Sequence, residues 1–133
     1  MSTPCYCIEL RAAARKTSAI YDEALAPFGI TIAQYSLLRK IDRAKRISLT
    51  ELASISDLDR STIGRNAKVL ERMGLVQSVS GKDQREALLE LSTMGQKVLA
   101  ESIPAHAAAQ AKIEDHLGGP DGAKDLLSRL HSL

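Results

Sequence analysis

The chain of 133 residues has no tryptophan, one phenylalanine and three tyrosines, so aromatic packing cannot build its interior. Alanine, leucine and isoleucine must do so instead, which favours helices packed on helices. Nowhere do about 18 apolar residues run together, which argues against a transmembrane helix and a membrane partner. The N-terminal residues lack the charged start and apolar centre of a secretory signal, so a cytoplasmic location is expected. There the two cysteines, Cys5 and Cys7, are reduced by default. Also missing are a glycine-rich phosphate loop, a Gly-x-Ser-x-Gly elbow and a His-Glu-x-x-His pair. The expectation is a protein that is not an enzyme and needs no cofactor.

What is present is 44% hydrophobic residues, enough for one packed domain spanning residues 1–133. The net charge of +2 is a weak pointer to nucleic acid, but its distribution says more. Between Arg60 and Arg85 stand six basic residues (Arg60, Arg65, Lys68, Arg72, Lys82 and Arg85) against two acidic ones, Glu71 and Asp83. A local basic surface in a nearly neutral chain suits a protein that meets DNA with one face.

Apolar residues recur at helical spacing from Ile8 to Ala26, and Pro27 and Gly29 end that helix. A second helix is expected at about Ile32–Ile41, followed by a polar connection over residues 43–47. Ser48-Leu49-Thr50-Glu51 has the form of a capping box and opens a short third helix to Ile55. Asp59 is the expected N-cap of a fourth helix that ends at Met73, with Gly74 in the left-handed position after it. Leu75–Val79 and Ala87–Leu91 read as a hairpin around a polar tip. A long helix follows to about Leu117, with a kink expected at Pro104. Gly118-Gly119-Pro120 stops it before a last helix at about Asp121–Leu130. Two short helices, a tight turn and a hairpin form a winged helix-turn-helix. The fold class is therefore mainly α with a small β-hairpin: a winged lobe over residues 31–92 and further helices over 5–30 and 93–133.

The fourth helix has two faces. Ile63, Ala67 and Leu70 can pack on Leu49, Leu52 and Ile55, while Ser61, Arg65, Lys68 and Arg72 point away, with Arg60 and Gly64 beside them. A second helix of a helix-turn-helix enters the major groove of double-stranded DNA. Arginine can donate two hydrogen bonds to guanine, so Arg60 and Arg65 suit base reading. Ser61, Thr62 and Lys68 suit phosphates. At the hairpin tip Lys82 and Arg85 can reach a narrow minor groove, with Asp83 holding Arg85. Taken alone, a solvated helix face and a loop ion pair explain these charges about as well.

Leu49–Val76 and Asp83–Leu99 resemble the MarR family of bacterial regulators. The carrying pieces are Ser61-Thr62-Ile63-Gly64-Arg65, then Leu70-Glu71-Arg72-Met73-Gly74-Leu75, then Asp83-Gln84-Arg85. The wing is about one residue shorter than in common members, and Gln77 and Ser78 stand where basic residues are frequent. The resemblance implies a homodimer through the first and last two helices, which makes residues 5–30 and 93–133 a helical dimerisation region, and a repressor that straddles a palindromic operator. It also implies that Arg85 enters the minor groove. Many members release DNA when a small phenolic or lipophilic effector binds or a cysteine is oxidised. By position in the family, Tyr21, Tyr35 and Arg39 line an effector pocket; each tyrosine can equally be plain core.

Cys5 and Cys7 leave three readings open. They are ordinary reduced thiols, or a redox switch, or half of a metal site that needs a histidine. His106, His116 and His131 do not stand at metal-ligand spacing from one another. Set against the DNA-binding reading are a winged helix that binds a protein partner, and a metal or thiol sensor built on Cys5 and Cys7.

Overall fold

A computed structural model describes residues 2–81 and 87–133. In chain order the elements are α1 (Tyr6–Leu25), a short 3-10 turn (Ala26–Phe28), α2 (Ile32–Ala44), β1 (Ile47–Ser48), α3 (Leu49–Ser56), α4 (Arg60–Arg72), β2 (Val76–Ser80), β3 (Ala87–Leu91), α5 (Thr93–His116) and α6 (Gly119–His131). Among the described residues no helix is long and apolar enough to cross a membrane.

The chain divides into two compact units. One comprises Ile30–Ser102, the other the residues up to Gly29 together with Ile103–Leu133. In the first unit, α2 begins on a reciprocal cap between Thr31 and Gln34. The Gln34 N–H donates to Thr31 Oγ1 (3.2 Å) and the Thr31 N–H donates to Gln34 Oε1 (2.9 Å). At α3 only half of the expected box forms: Ser48 Oγ accepts from the Glu51 N–H at 3.1 Å. Asp57 (φ 54°) then takes the left-handed conformation in the turn between α3 and α4.

Ile63, Ala67 and Leu70 of α4 are buried, as are Leu52 and Ala53 of α3. Ile55 is not; it is 55% exposed. At about 100° per residue, Leu49, Leu52, Ala53 and Ser56 share one face and Ile55 falls well off it. Each of Ile63 and Leu70, fully buried, contributes roughly 1.5–3 kcal/mol. Leu38 and Ile41 of α2 complete the same core.

The sheet has the order β1-β3-β2, antiparallel throughout. Val76 faces Leu91, Gln77 faces Glu90, and Ser80 faces Ala87, while β1 sets Ile47 opposite Leu89. The two-residue β1 replaces part of the polar connection expected before Ser48. Ile47, Val76, Leu89 and Leu91 are buried.

In the second unit α1 buries Leu25, and α6 buries nothing. Gly119 and Pro120 open α6 and do not merely end the helix before it, because proline in a first turn gives up only an N–H that has no helical partner. Helix α5 continues through Pro104.

Candidate nucleic-acid interface

Helix α4 is fixed at both ends by local chemistry. At its start Asp59 accepts from the Thr62 N–H at 2.7 Å and from the Ser61 hydroxyl at 2.8 Å. These bonds stabilise the ionised carboxylate, the backbone bond from Thr62 most, and lower its pKa to about 2. At its end the Leu75 N–H reaches the Leu70 carbonyl (3.0 Å) and the Gly74 N–H reaches the Glu71 carbonyl (2.9 Å). That pairing requires the left-handed turn at Gly74, where φ is 77°.

With Ile63, Ala67 and Leu70 turned inward, Arg65, Lys68 and Arg72 are exposed on the far side, and Ser61 with them. Arg60 is exposed and Thr62 and Gly64 are half-exposed. Arg65 Nη2 donates to Thr62 Oγ1 at 3.3 Å, which orients the guanidinium along the helix. A shallow surface groove is lined by Arg65, Lys68, Val69, Glu71 and Arg72. Both nearby acidic side chains already accept bonds from their own chain: Asp59 as above, and Glu71 Oε1 from the Ser78 hydroxyl at 2.6 Å. Among the described residues no ion pair involves Arg60, Arg65, Lys68 or Arg72. Among the described residues the face thus carries more cations than carboxylates and no direct ion pair, a chemistry that suits a phosphate backbone.

Beside it the sheet carries a polar network that the sequence reading missed. Arg46 Nε donates to Glu90 Oε2 at 3.0 Å, and Gln77 Nε2 donates to Glu90 Oε1 at 2.8 Å. The Gln77 bond, then the Arg46 bond, lowers the Glu90 pKa. Only a register that sets Gln77 across from Glu90 shows this, and one sequence read linearly does not contain it. Lys82, Asp83 and Arg85 lie outside the described residues, between β2 and β3.

The remaining candidates fall apart by unit. Tyr35 is buried on α2, with Arg39 half-buried one turn along. Tyr21 belongs to the other unit, where its hydroxyl donates to Gln110 Oε1 and its ring stacks on His106 at a centroid distance of 5.1 Å. Burial raises the Tyr21 pKa. Cys5 and Cys7 are exposed free thiols at the start of α1. Among the described residues no three His, Cys, Asp or Glu side chains gather as a metal site.

Comparison with known proteins agrees with this geometry. A model of the MarR family matches residues 30–87, which include all of α4. The HTH-type transcriptional regulator YwoH of Bacillus subtilis is 30% identical over 89 residues, covering 67% of this chain and 65% of its own length. The M. tuberculosis transcriptional regulator MosR, solved in complex with DNA, superposes with a TM-score of 0.83 at 32% identity, covering 96% of this chain and 93% of MosR. A mutant of E. coli MarR complexed with operator DNA gives a TM-score of 0.85 at 23% identity, over 92% of this chain and 89% of that one, which shows the shared fold. A capped helix with one cationic face, a three-stranded wing and these relatives lead to one statement: the chain belongs to the MarR family of winged-helix transcriptional regulators, and is not an enzyme.

Proposed function

We propose that the protein is a repressor that binds double-stranded DNA as a homodimer. Its site is a pseudo-palindrome with half-sites about 10 bp apart, one helical turn. The observation that carries this reading is the α4 face itself: Arg60, Arg65, Lys68 and Arg72 exposed opposite a fully buried Ile63 and Leu70. MosR with DNA and MarR with operator DNA support the same use of the fold. The dimer reading rests on apolar side chains left exposed in the unit of α1 and α6, Ile8 and Leu127 among them. A second copy of the chain covers them.

Within the helix, Arg60 and Arg65 read base edges and Lys68 holds a phosphate. Ser61 and Thr62 order the first turn; to donate to a phosphate oxygen the Ser61 hydroxyl must leave Asp59, whereas Thr62 Oγ1 accepts from Arg65 and that bond need not break. At the wing, the cations for the minor groove are Lys82 and Arg85, with Asp83 as the partner of Arg85. Release comes from a signal, either oxidation of the exposed Cys5 and Cys7 or a small-molecule effector.

Fluorescence anisotropy against the duplex upstream of its own coding region and a scrambled duplex tests this. Binding should weaken steeply with salt. Arg65→Ala should cost about 1–3 kcal/mol and relax the preference at one base position, whereas Lys68→Ala should weaken every duplex alike. If neither substitution changes affinity, α4 is not the reading helix, and a protein partner becomes the better account of the fold.

A further inference from the structure

Glycine inside a helix is about 1 kcal/mol less favourable than alanine, so a helical glycine calls for a reason. Gly95, on the first turn of α5, has one within the chain: a Cβ there would stand 1.9 Å from the Leu75 carbonyl oxygen. Gly64, in the middle of α4, has none. A Cβ added to it would meet no atom within 4 Å, and its φ is not positive. Neither packing nor backbone conformation asks for glycine at this position.

What surrounds Gly64 suggests what does. Arg60 and Lys68 stand four residues before and after it, on one stripe of the helix, and both are exposed. Side chains four apart lie about 5–6 Å from each other at Cβ. The missing side chain therefore leaves a dent in the helix surface with a long cation on either side.

We propose that Gly64 is a close-approach position: one strand of the duplex comes against the α4 backbone here, and its phosphodiester sits in the dent between Arg60 and Lys68. A methyl group at this position would hold the strand away by about the length of a carbon–carbon bond. Both cations would then reach past their best distance. A phosphate fits better than a base edge because the dent lies between two cations, with the Lys68 ammonium holding the phosphate and Arg60 passing beside it toward a base edge. This inference rests on the DNA-binding reading above and assigns to Gly64 a positioning role within it.

The test is Gly64→Ala in the full chain, read by melting temperature and by binding to the upstream and scrambled duplexes over a salt series. The variant should melt a few degrees higher, because alanine favours the helix. It should also bind both duplexes more weakly by a similar factor, on the order of tenfold. Its salt slope should fall by about one unit, as for one lost phosphate contact. Unchanged affinity, or a lower melting temperature, would overturn the inference while leaving the DNA reading intact. So would a loss confined to the upstream duplex with an unchanged salt slope, since the dent would then face a base. If the unsubstituted protein binds neither duplex even at low salt, the DNA reading fails and takes this inference with it.

Discussion

The two units use the same kind of amphipathic helix and finish it differently. In Ile30–Ser102 the apolar stripes of α2, α3 and α4 close on one another and on the sheet, so Leu38, Ile41, Leu52, Ile63 and Leu70 are almost wholly buried. In the other unit, among the described residues, only Leu25 and Ala109 are buried apolar side chains. Ile8, Leu10, Ile20, Leu117 and Leu127 remain exposed there. An apolar stripe has to be buried against something. One unit holds a whole core; among the described residues the other holds part of one, which the proposed homodimer would complete.

The contrast can be broken by substitution. The largest effect belongs in the complete core. Leu70→Ala should lower the unfolding free energy by about 2–5 kcal/mol, read by urea denaturation, because the surrounding side chains cannot collapse fully into the space. A small loss would mean that the winged unit is looser than its burial implies. Next comes the exposed stripe. Leu127→Lys should leave the fold of the single chain within about 0.5 kcal/mol, yet weaken self-association on the order of tenfold by sedimentation equilibrium. An unchanged association constant would remove Leu127 from the proposed interface.

The smallest effect sharpens the comparison at the α4 cap. Because the folded pKa of Asp59 is about 2, below the ordinary 3.8, its contribution to stability is full above about pH 4. It is lost as pH falls through about 2. Asparagine caps helices about as well, so Asp59→Asn should melt near the parent temperature at neutral pH and decline less steeply on acidification. Parallel declines for the two proteins would show that the carboxylate charge adds nothing to the cap.

Features set by neighbouring residues were legible in the sequence. Asp59 and Gly74 bound α4 as expected because caps and left-handed turns depend on a few residues in a row. The two faces of α4 were legible for the same reason, since periodicity fixes them. Thr31-x-x-Gln34 carries the same capping signature as Ser48-x-x-Glu51, yet the first forms the full reciprocal cap and the second half of one. What depends on distant partners was not legible. Strand β1 is two residues long and exists only because Leu88 and Leu89 pair with it. The exposure of Ile55 follows from where α3 meets its neighbours, and the Arg46–Glu90–Gln77 network follows from strand register. Of the candidate site, the α4 side chains lie on the face the sequence assigns them, and the wing cations fall outside the described residues.

The corner where α4 gives way to the sheet is also where α5 begins. Ser92 donates its N–H to the Leu75 carbonyl (3.0 Å) and its hydroxyl to the Gly74 carbonyl (2.5 Å), while its Oγ accepts from the Gly95 N–H (3.0 Å). No room for even a methyl group separates Gly95 from Leu75. The first turn of α5 is thus fastened to the exit of α4. There is no slack in that joint. Two hydrogen bonds from Ser92 and one backbone contact at Gly95 therefore fix the exit of α4 against the first turn of α5, so a bulkier side chain at position 95 would disturb both helix ends at once.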